Sequence, residues 1–364
     1  RANTLMPDVV MFGHSGSTSS QPIIEETAFL IKQMMPNVLS ILGGVYPTYH
    51  FQEILSRNVC FDFVVLGEGE QVILDLVAAI EQKSDPENVA GIAYKQEGSI
   101  IKTHRAELIE NLDQYRVGWE LMGNYKYTYW GNRPAALIQF SRGCPHHCTY
   151  CGQTRFWQKW RHRNPEKLAA EIAWLHRGFG IEVVNFADEN PTSSRQMWER
   201  FLKAMVRENV NVKLVCSARA GDIVRDADIL DLYKKARVVR FLILMENYSQ
   251  EVLNKIRKGS LISQDMQAIT LLRKHKIISM VSYVVGFHEE KPRDYVHTIK
   301  QLLAYDPDQI QVMYLTPHRW TPFFQEVKDK MVIQKDLRKW DYKHQVLKMK
   351  YMKAWQCLFW VKFT

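Results

Sequence analysis

Two hydrophobic periods alternate along the chain. Residues 8–13 (DVVMFG), 38–42 and 61–66 are short, nearly continuous apolar runs, as strands buried on both faces require. Between them, 22–35, 47–57 and 71–82 repeat their apolar positions with a helical period. Buried strands alternating with helices predict a parallel sheet in a doubly wound, Rossmann-like α/β domain. Residues 89–94 and 99–102, on either side of Gln96-Glu97-Gly98, read as a closing hairpin. Residues 106–134 have no period. They carry Gly118, Gly123, Gly131 and Pro134 among Tyr115, Trp119, Tyr125, Tyr127, Tyr129 and Trp130, which marks a linker packed on something. From 135 the alternation resumes, with strands at 135–141, 181–187, 212–217, 238–245, 279–285 and 309–315. Helices fit at 165–177, 193–208, 226–235, 249–257, 263–275 and 291–303. Six β/α units predict a partial (β/α)6 barrel. The plan is thus a first domain at 1–105, a linker at 106–134, a barrel core at 135–318 and an appendage at 319–364.

Length and composition refine this picture little. A chain of 364 residues has room for two domains and a fragment of a third, and 46% hydrophobic with 24% charged residues is ordinary for a globular protein. The longest apolar runs, 241–245 and 281–285, are too short to span a bilayer, which leaves only peripheral contact with a membrane open. The chain starts at Arg1, reaches a strand almost at once and ends on an apolar stretch, so it reads as a piece of a longer protein. Much of the net charge of +9 lies in 328–353, where basic residues alternate with Asp329, Asp336 and Asp341 as on a solvated helix face. No nucleic-acid signature accompanies them. Of six cysteines, three crowd into 144–151, which suggests a metal site in a reducing, cytoplasmic compartment rather than a disulfide framework.

Those three are Cys144, Cys148 and Cys151, in Phe140-Ser141-Arg142-Gly143-Cys144-Pro145-His146-His147-Cys148-Thr149-Tyr150-Cys151 directly after the first barrel strand. Three thiolates at this spacing can wrap one face of a 4Fe–4S cubane and leave its fourth iron open to another ligand. A zinc site built with His146 or His147 is the alternative that spacing alone leaves. The loop after a strand at the carboxyl end of a barrel is where an active site is expected.

CxxxCxxC with an aromatic before the last cysteine, opening a partial barrel, resembles the radical S-adenosylmethionine (SAM) superfamily over 135–318. The resemblance implies a cluster held by the three cysteines, SAM on the open iron, and a 5′-deoxyadenosyl radical that takes a hydrogen from the substrate. It also implies SAM-binding roles for strand-end residues. These are Asp188, Glu189 and Asn190 for the amino group, Ser217 and Arg219 for ribose and carboxylate, Glu246 ahead of Lys258-Gly259, and Gly286 beside adenine.

Upstream, Ser15-Gly16-Ser17-Thr18, Leu42-Gly43-Gly44 and Gly67-Glu68-Gly69-Glu70 follow successive strands. In that order, ahead of such a barrel, they resemble a cobalamin-binding domain whose first β/α unit lies outside this chain. The likeness implies that Ser15, Ser17, Thr18, Gly43, Gly44, Gly67 and Glu68 line the cobalamin. His14 is read as a strand-end polar residue, not a cobalt ligand. Within this family, 13–19, 316–322 and 340–345 resemble the oxygen-independent oxidative cyclases of bacteriochlorophyll synthesis. That implies a magnesium-porphyrin substrate, closure of its isocyclic ring and a reducing partner such as ferredoxin or flavodoxin. His318 and Arg319, after the sixth strand, become candidates for the substrate's magnesium and free propionate. A cobalamin-dependent radical SAM methyltransferase is the alternative enzyme, and an iron–sulfur electron carrier the alternative outside catalysis.

Overall fold

A computed structural model describes residues 5–14, 16–57, 60–123, 127–327 and 331–363. The chain divides into two compact units, Arg1–Glu110 with Thr316–Val346, and Asn111–Leu315 with Leu347–Thr364.

The first unit is built on a five-stranded sheet, β1 (Val9–His14), β2 (Leu39–Gly44), β3 (Phe63–Val65), β4 (Ile92–Gln96) and β5 (Ser99–Lys102), in that spatial order. β1, β2 and β3 are parallel, whereas β4 and β5 run antiparallel. The connections carry α1 (Ser20–Met34), α2 (Val45–Ser56) and α3 (Glu70–Glu81). Ile41, Val65, Val72, Leu76 and Ile92 form its core. Glu97 and Gly98 both take positive φ, the geometry that lets a two-residue turn join β4 to β5. The segment 316–346 adds a short helix, Pro322–Val327, and a 3-10 turn, Leu337–Lys339, whose Arg338 meets Glu26 on α1 at 3.4 Å.

The second unit is a curled half-barrel. A short strand, β6 (Thr128–Tyr129), pairs antiparallel with β7 (Arg133–Ile138), and β8 (Ser141–Arg142) later pairs with β9 (Arg161–His162). Parallel to β7 follow β10 (Val183–Phe186), β11 (Lys213–Ala218), β12 (Val238–Glu246), β13 (Ile278–Val285) and β14 (Gln309–Tyr314). The helices are α4 (Thr154–Trp157), α5 (Pro165–Phe179), α6 (Arg195–Glu208), α7 (Ala220–Arg225), α8 (Leu230–Lys235), α9 (Gln250–Lys255), α10 (Ile262–Lys274), α11 (Pro292–Tyr305) and, after the return at 347, α12 (Ala354–Phe363). Starts are set by side-chain caps: Asn164, Ser194 and Ser249 accept from Lys167, Met197 and Val252 amides. Both α/β architectures are as the sequence predicts.

Local departures have identifiable causes. The single helix expected at 226–235 is a 3-10 turn, Ala227–Ile229, followed by α8 instead. Asp226, fully buried, separates this stretch from α7 by accepting from Arg225 and from the Tyr233 hydroxyl at 2.6 Å. The unpatterned stretch after 106 earns its order from Trp119, which sits in the barrel core and donates to Glu171 at 2.8 Å.

Candidate radical and cofactor site

The cysteine loop is held at both ends by carboxylates from the end of β10. Asp188 accepts from the Phe140 amide (3.0 Å), the Ser141 amide (2.5 Å) and the Ser141 hydroxyl (2.6 Å), fixing where the chain leaves β7. Glu189 accepts from the Gly143 amide at 3.2 Å and the Trp157 indole at 2.8 Å. Gly143 has φ +84, and a Cβ there would lie 2.5 Å from the Lys159 carbonyl, so only glycine fits. Farther on, the Thr149 amide donates to the Ile256 carbonyl at 2.9 Å, and the Tyr150 hydroxyl hydrogen-bonds Glu246.

Cys144, Cys148 and Cys151 are half-buried, unoxidised thiols on this loop. Burial pushes the Cys144 thiol up to about 11 and also raises Cys148, against the pull of Arg219 on both and of Lys258 on Cys148. A metal that bound these thiols would displace their protons, and the two cations would offset the thiolate charge that results. No described group of three or more ligating residues is gathered for a single metal ion.

Glu246 ends β12 where the pairing with β13 shifts register, and it takes φ +73. The irregularity turns its carboxylate onto buried Lys258 at 2.9 Å. Arg219 donates to the Lys258 carbonyl. Asp265, with burial raising it to about 7, lies in the field of Lys258, Glu246 and Arg219. The structure thus brings Glu189, Arg219 and Glu246 around the cysteine loop. Asn190 is turned to Asp222 (3.0 Å) and Thr192 (2.9 Å), and Asp188 is spent on the loop. Ser217 is half-buried on β11. Gly286, φ +90, ends β13 with its amide on Glu290 at 2.8 Å. Sequence reasoning passed over the Lys258 ion pair, Asp265 and Trp157, and no spacing signal could have found them.

In the first unit, Ser17 bonds Ser19 at 2.9 Å, and buried Thr18 bonds His318 Nδ1 at 2.8 Å. Ser15 lies outside the described residues. Gly43 and Gly44 end β2, and a Cβ at Gly44 would fall on the His14 carbonyl. Gly67 donates to Thr48 at 2.9 Å, and the place a Cβ would occupy there has no atom within 4 Å. Glu68 accepts from the Ile109 amide at 2.8 Å, which pins the chain after the hairpin.

His318 and Arg319 depart from the expectation. His318 is 3% exposed, stacks on Trp320, and gives its second nitrogen to Tyr342 at 2.6 Å. Burial pushes it down to about 3. With both nitrogens occupied, it is no free magnesium ligand. Arg319 lies 3.8 Å from Glu53 and over the Trp340 ring. Both residues belong to the first unit, not to the barrel's strand ends.

The radical SAM superfamily model matches residues 138–302, and the B12 binding domain model matches residues 1–77. An anaerobic magnesium-protoporphyrin IX monomethyl ester cyclase of Synechocystis sp. is 50% identical over 98% of this chain and 71% of its own length. A protein of the same name from Rubrivivax gelatinosus is 31% identical over 96% of this chain and 63% of its own. Among solved structures, the cobalamin-dependent SAM radical enzyme OxsB aligns with a TM-score of 0.80 at 16% identity, over 99% of this chain and 59% of that one. The radical SAM methyltransferase TsrM of Kitasatospora setae gives 0.75 at 17%, over 89% and 66%. At such identities these two show the fold alone. Fold and site together define a radical SAM enzyme with a B12-binding domain, whose cofactors are a 4Fe–4S cluster, SAM and cobalamin. The chain belongs to the family of the anaerobic magnesium-protoporphyrin IX monomethyl ester cyclases.

Proposed function

We propose that this chain carries out the oxygen-independent oxidative cyclisation of magnesium-protoporphyrin IX monomethyl ester, which forms the isocyclic ring of chlorophyll-type pigments. The observation that carries the reading is 50% identity to a cyclase across 98% of the chain, both cofactor domains included. Cluster and SAM, when bound, supply a hydrogen-abstracting radical. The residues have supporting parts: Cys144, Cys148 and Cys151 hold three irons, Arg219 and Lys258 offset thiolate charge, and Glu189 keeps the loop in place. The abstraction falls on the ring-C propionate ester side chain. Hydroxylation with oxygen from water, oxidation to a ketone and ring closure each withdraw an electron pair from the substrate, and SAM, cleaved reductively to 5′-deoxyadenosine and methionine, would be the acceptor of each pair. Ser15, Ser17, Thr18, Gly43, Gly44, Gly67 and Glu68 border the cobalamin.

A ferredoxin or flavodoxin reduces the cluster in this reading, in the cytoplasm. No helix among the described residues is long and apolar enough to cross a membrane. Anaerobic turnover of the magnesium porphyrin ester with SAM, cobalamin and reductant, followed by mass spectrometry, tests the proposal. A ring-closed product with 5′-deoxyadenosine supports it. S-adenosylhomocysteine with a methylated product would replace it by a methyltransferase.

A further inference from the structure

His14 holds a buried hydrogen-bond donor that no described residue accepts. The ring is 4% exposed at the carboxyl end of β1, in register with Gly44 of β2. The Gly16 amide donates to its Nδ1 at 3.0 Å, so Nδ1 carries a lone pair. Burial holds the imidazole neutral, with its titration pushed down to about 4. Its one proton is therefore on Nε2, which is buried with no partner among the described residues. Buried donors are almost always satisfied, and an exception calls for a missing partner.

The surroundings say where that partner sits. Tyr46 stacks on His14 at 5.2 Å and on His50 at 4.3 Å, so packing fixes the His14 ring. His50 faces Glu53 through Nδ1 at 3.5 Å and likewise leaves Nε2 buried without a partner. At Gly67, which follows β3 at the same carboxyl end of the sheet, no atom lies within 4 Å of where a Cβ would be. Ligands of open α/β sheets bind outside the carboxyl ends of the strands.

We propose that His14 Nε2 donates a hydrogen bond to a phosphate or ribose oxygen in the nucleotide tail of cobalamin. The inference rests on the cobalamin-binding reading of this unit and adds a recognition residue to it. His14 is thus a tail-binding residue and not a cobalt ligand.

Two near-isosteric substitutions separate ligand binding from loop capping. In His14→Asn the amide oxygen replaces Nδ1, keeping the Gly16 bond and losing the outer donor. In His14→Gln the amide nitrogen reaches the place of Nε2, keeping the donor and losing the Gly16 bond. The full chain, with its cluster, is titrated anaerobically with aquacobalamin and with cobinamide, which lacks phosphate and ribose. The expected result is a cobalamin affinity about tenfold weaker for Asn, near wild type for Gln, and cobinamide affinity unchanged for both. Loss in Gln with retention in Asn would make His14 only a cap of Gly16. Equal loss in both, or in neither, would also overturn the proposal, as would a parallel loss for cobinamide. If the wild type binds cobinamide and cobalamin alike, tail recognition is absent. If it binds neither, the cobalamin reading of this chain fails first.

Discussion

Lys258 and Glu246 are ion-paired at 2.9 Å with almost no solvent at either side chain. Breaking such a pair from one side leaves a bare charge in a low dielectric, at a cost of about 3–5 kcal/mol. Lys258→Met should therefore destabilise the barrel unit by that order, because Glu246 stays buried and also holds Tyr150. Adding Glu246→Gln should restore most of the loss, since a neutral amide can still bond the tyrosine. Denaturation of the single and double variants checks this. A single variant as stable as wild type would mean that the pair contributes nothing.

Cys148→Ala should abolish the cluster. Two thiolates cannot hold a cubane with one open iron, and the remaining cysteines are badly placed to help. Cys216 is buried in β11, Cys357 is bonded to Tyr295 at 3.1 Å, and Cys60 belongs to the amino-terminal unit. Iron and sulfide content, the reduced-cluster EPR signal and 5′-deoxyadenosine formation should all fall to background. Normal SAM cleavage would refute the ligand set.

Much of the architecture was legible because buried parallel strands are apolar runs, and their order along the chain is the order of the β/α units. The residues 316–346 joining the first unit were not legible, since that rests on long-range contacts such as Thr18 with His318. Nor could a pattern show that Lys258 would fold back onto Glu246, twelve residues earlier. The cysteine motif could be read for the opposite reason: its three residues share one loop. The position of His318 after a strand could not show that the chain turns there into the first unit.

Gly44 and Gly67, at the carboxyl ends of β2 and β3, should respond differently to alanine. At Gly44 a Cβ collides with the His14 backbone, which cannot yield without breaking the β1–β2 pairing. At Gly67, φ +88, the space is open, and only the backbone penalty of about 1–2 kcal/mol applies. Thermal melting should show a much larger loss for Gly44→Ala, so Gly44 variants report folding as well as cofactor affinity. Equal losses would contradict the close approach.

Glu290 should make the barrel unit less stable as pH rises toward neutrality. Its carboxyl accepts from the Gly286 amide and the Tyr295 hydroxyl, yet burial raises it from 4.5 to about 7. Between those values the folded state keeps a proton that the unfolded chain has released. The stabilisation is complete below pH 4.5 and is lost as pH climbs through 7, by up to about 3 kcal/mol at 1.36 kcal/mol for each pH unit. Glu290→Gln should flatten that part of the pH–stability curve. An unchanged slope would show that Glu290 ionises freely in the fold.

His318 should act on stability in the opposite direction and in the other unit. Its ring bonds Thr18 and Tyr342 and stacks on Trp320, and burial drives it from 6.5 down to about 3. Below pH 6.5 the unfolded chain takes up a proton that the folded ring refuses, so acid weakens the amino-terminal unit progressively down to about pH 3. His14, pushed down to about 4, adds to the same trend. His318→Ala should reduce that acid sensitivity. At neutral pH it should cost about 2 kcal/mol, because the buried Thr18 hydroxyl loses its partner and the Trp320 face is uncovered. Tryptophan fluorescence during denaturation at several pH values measures both effects, and a magnesium-porphyrin titration of the folded variant supplies the contrast. Affinity for the porphyrin should survive. A variant of full stability that no longer binds it would return His318 to the role of metal ligand.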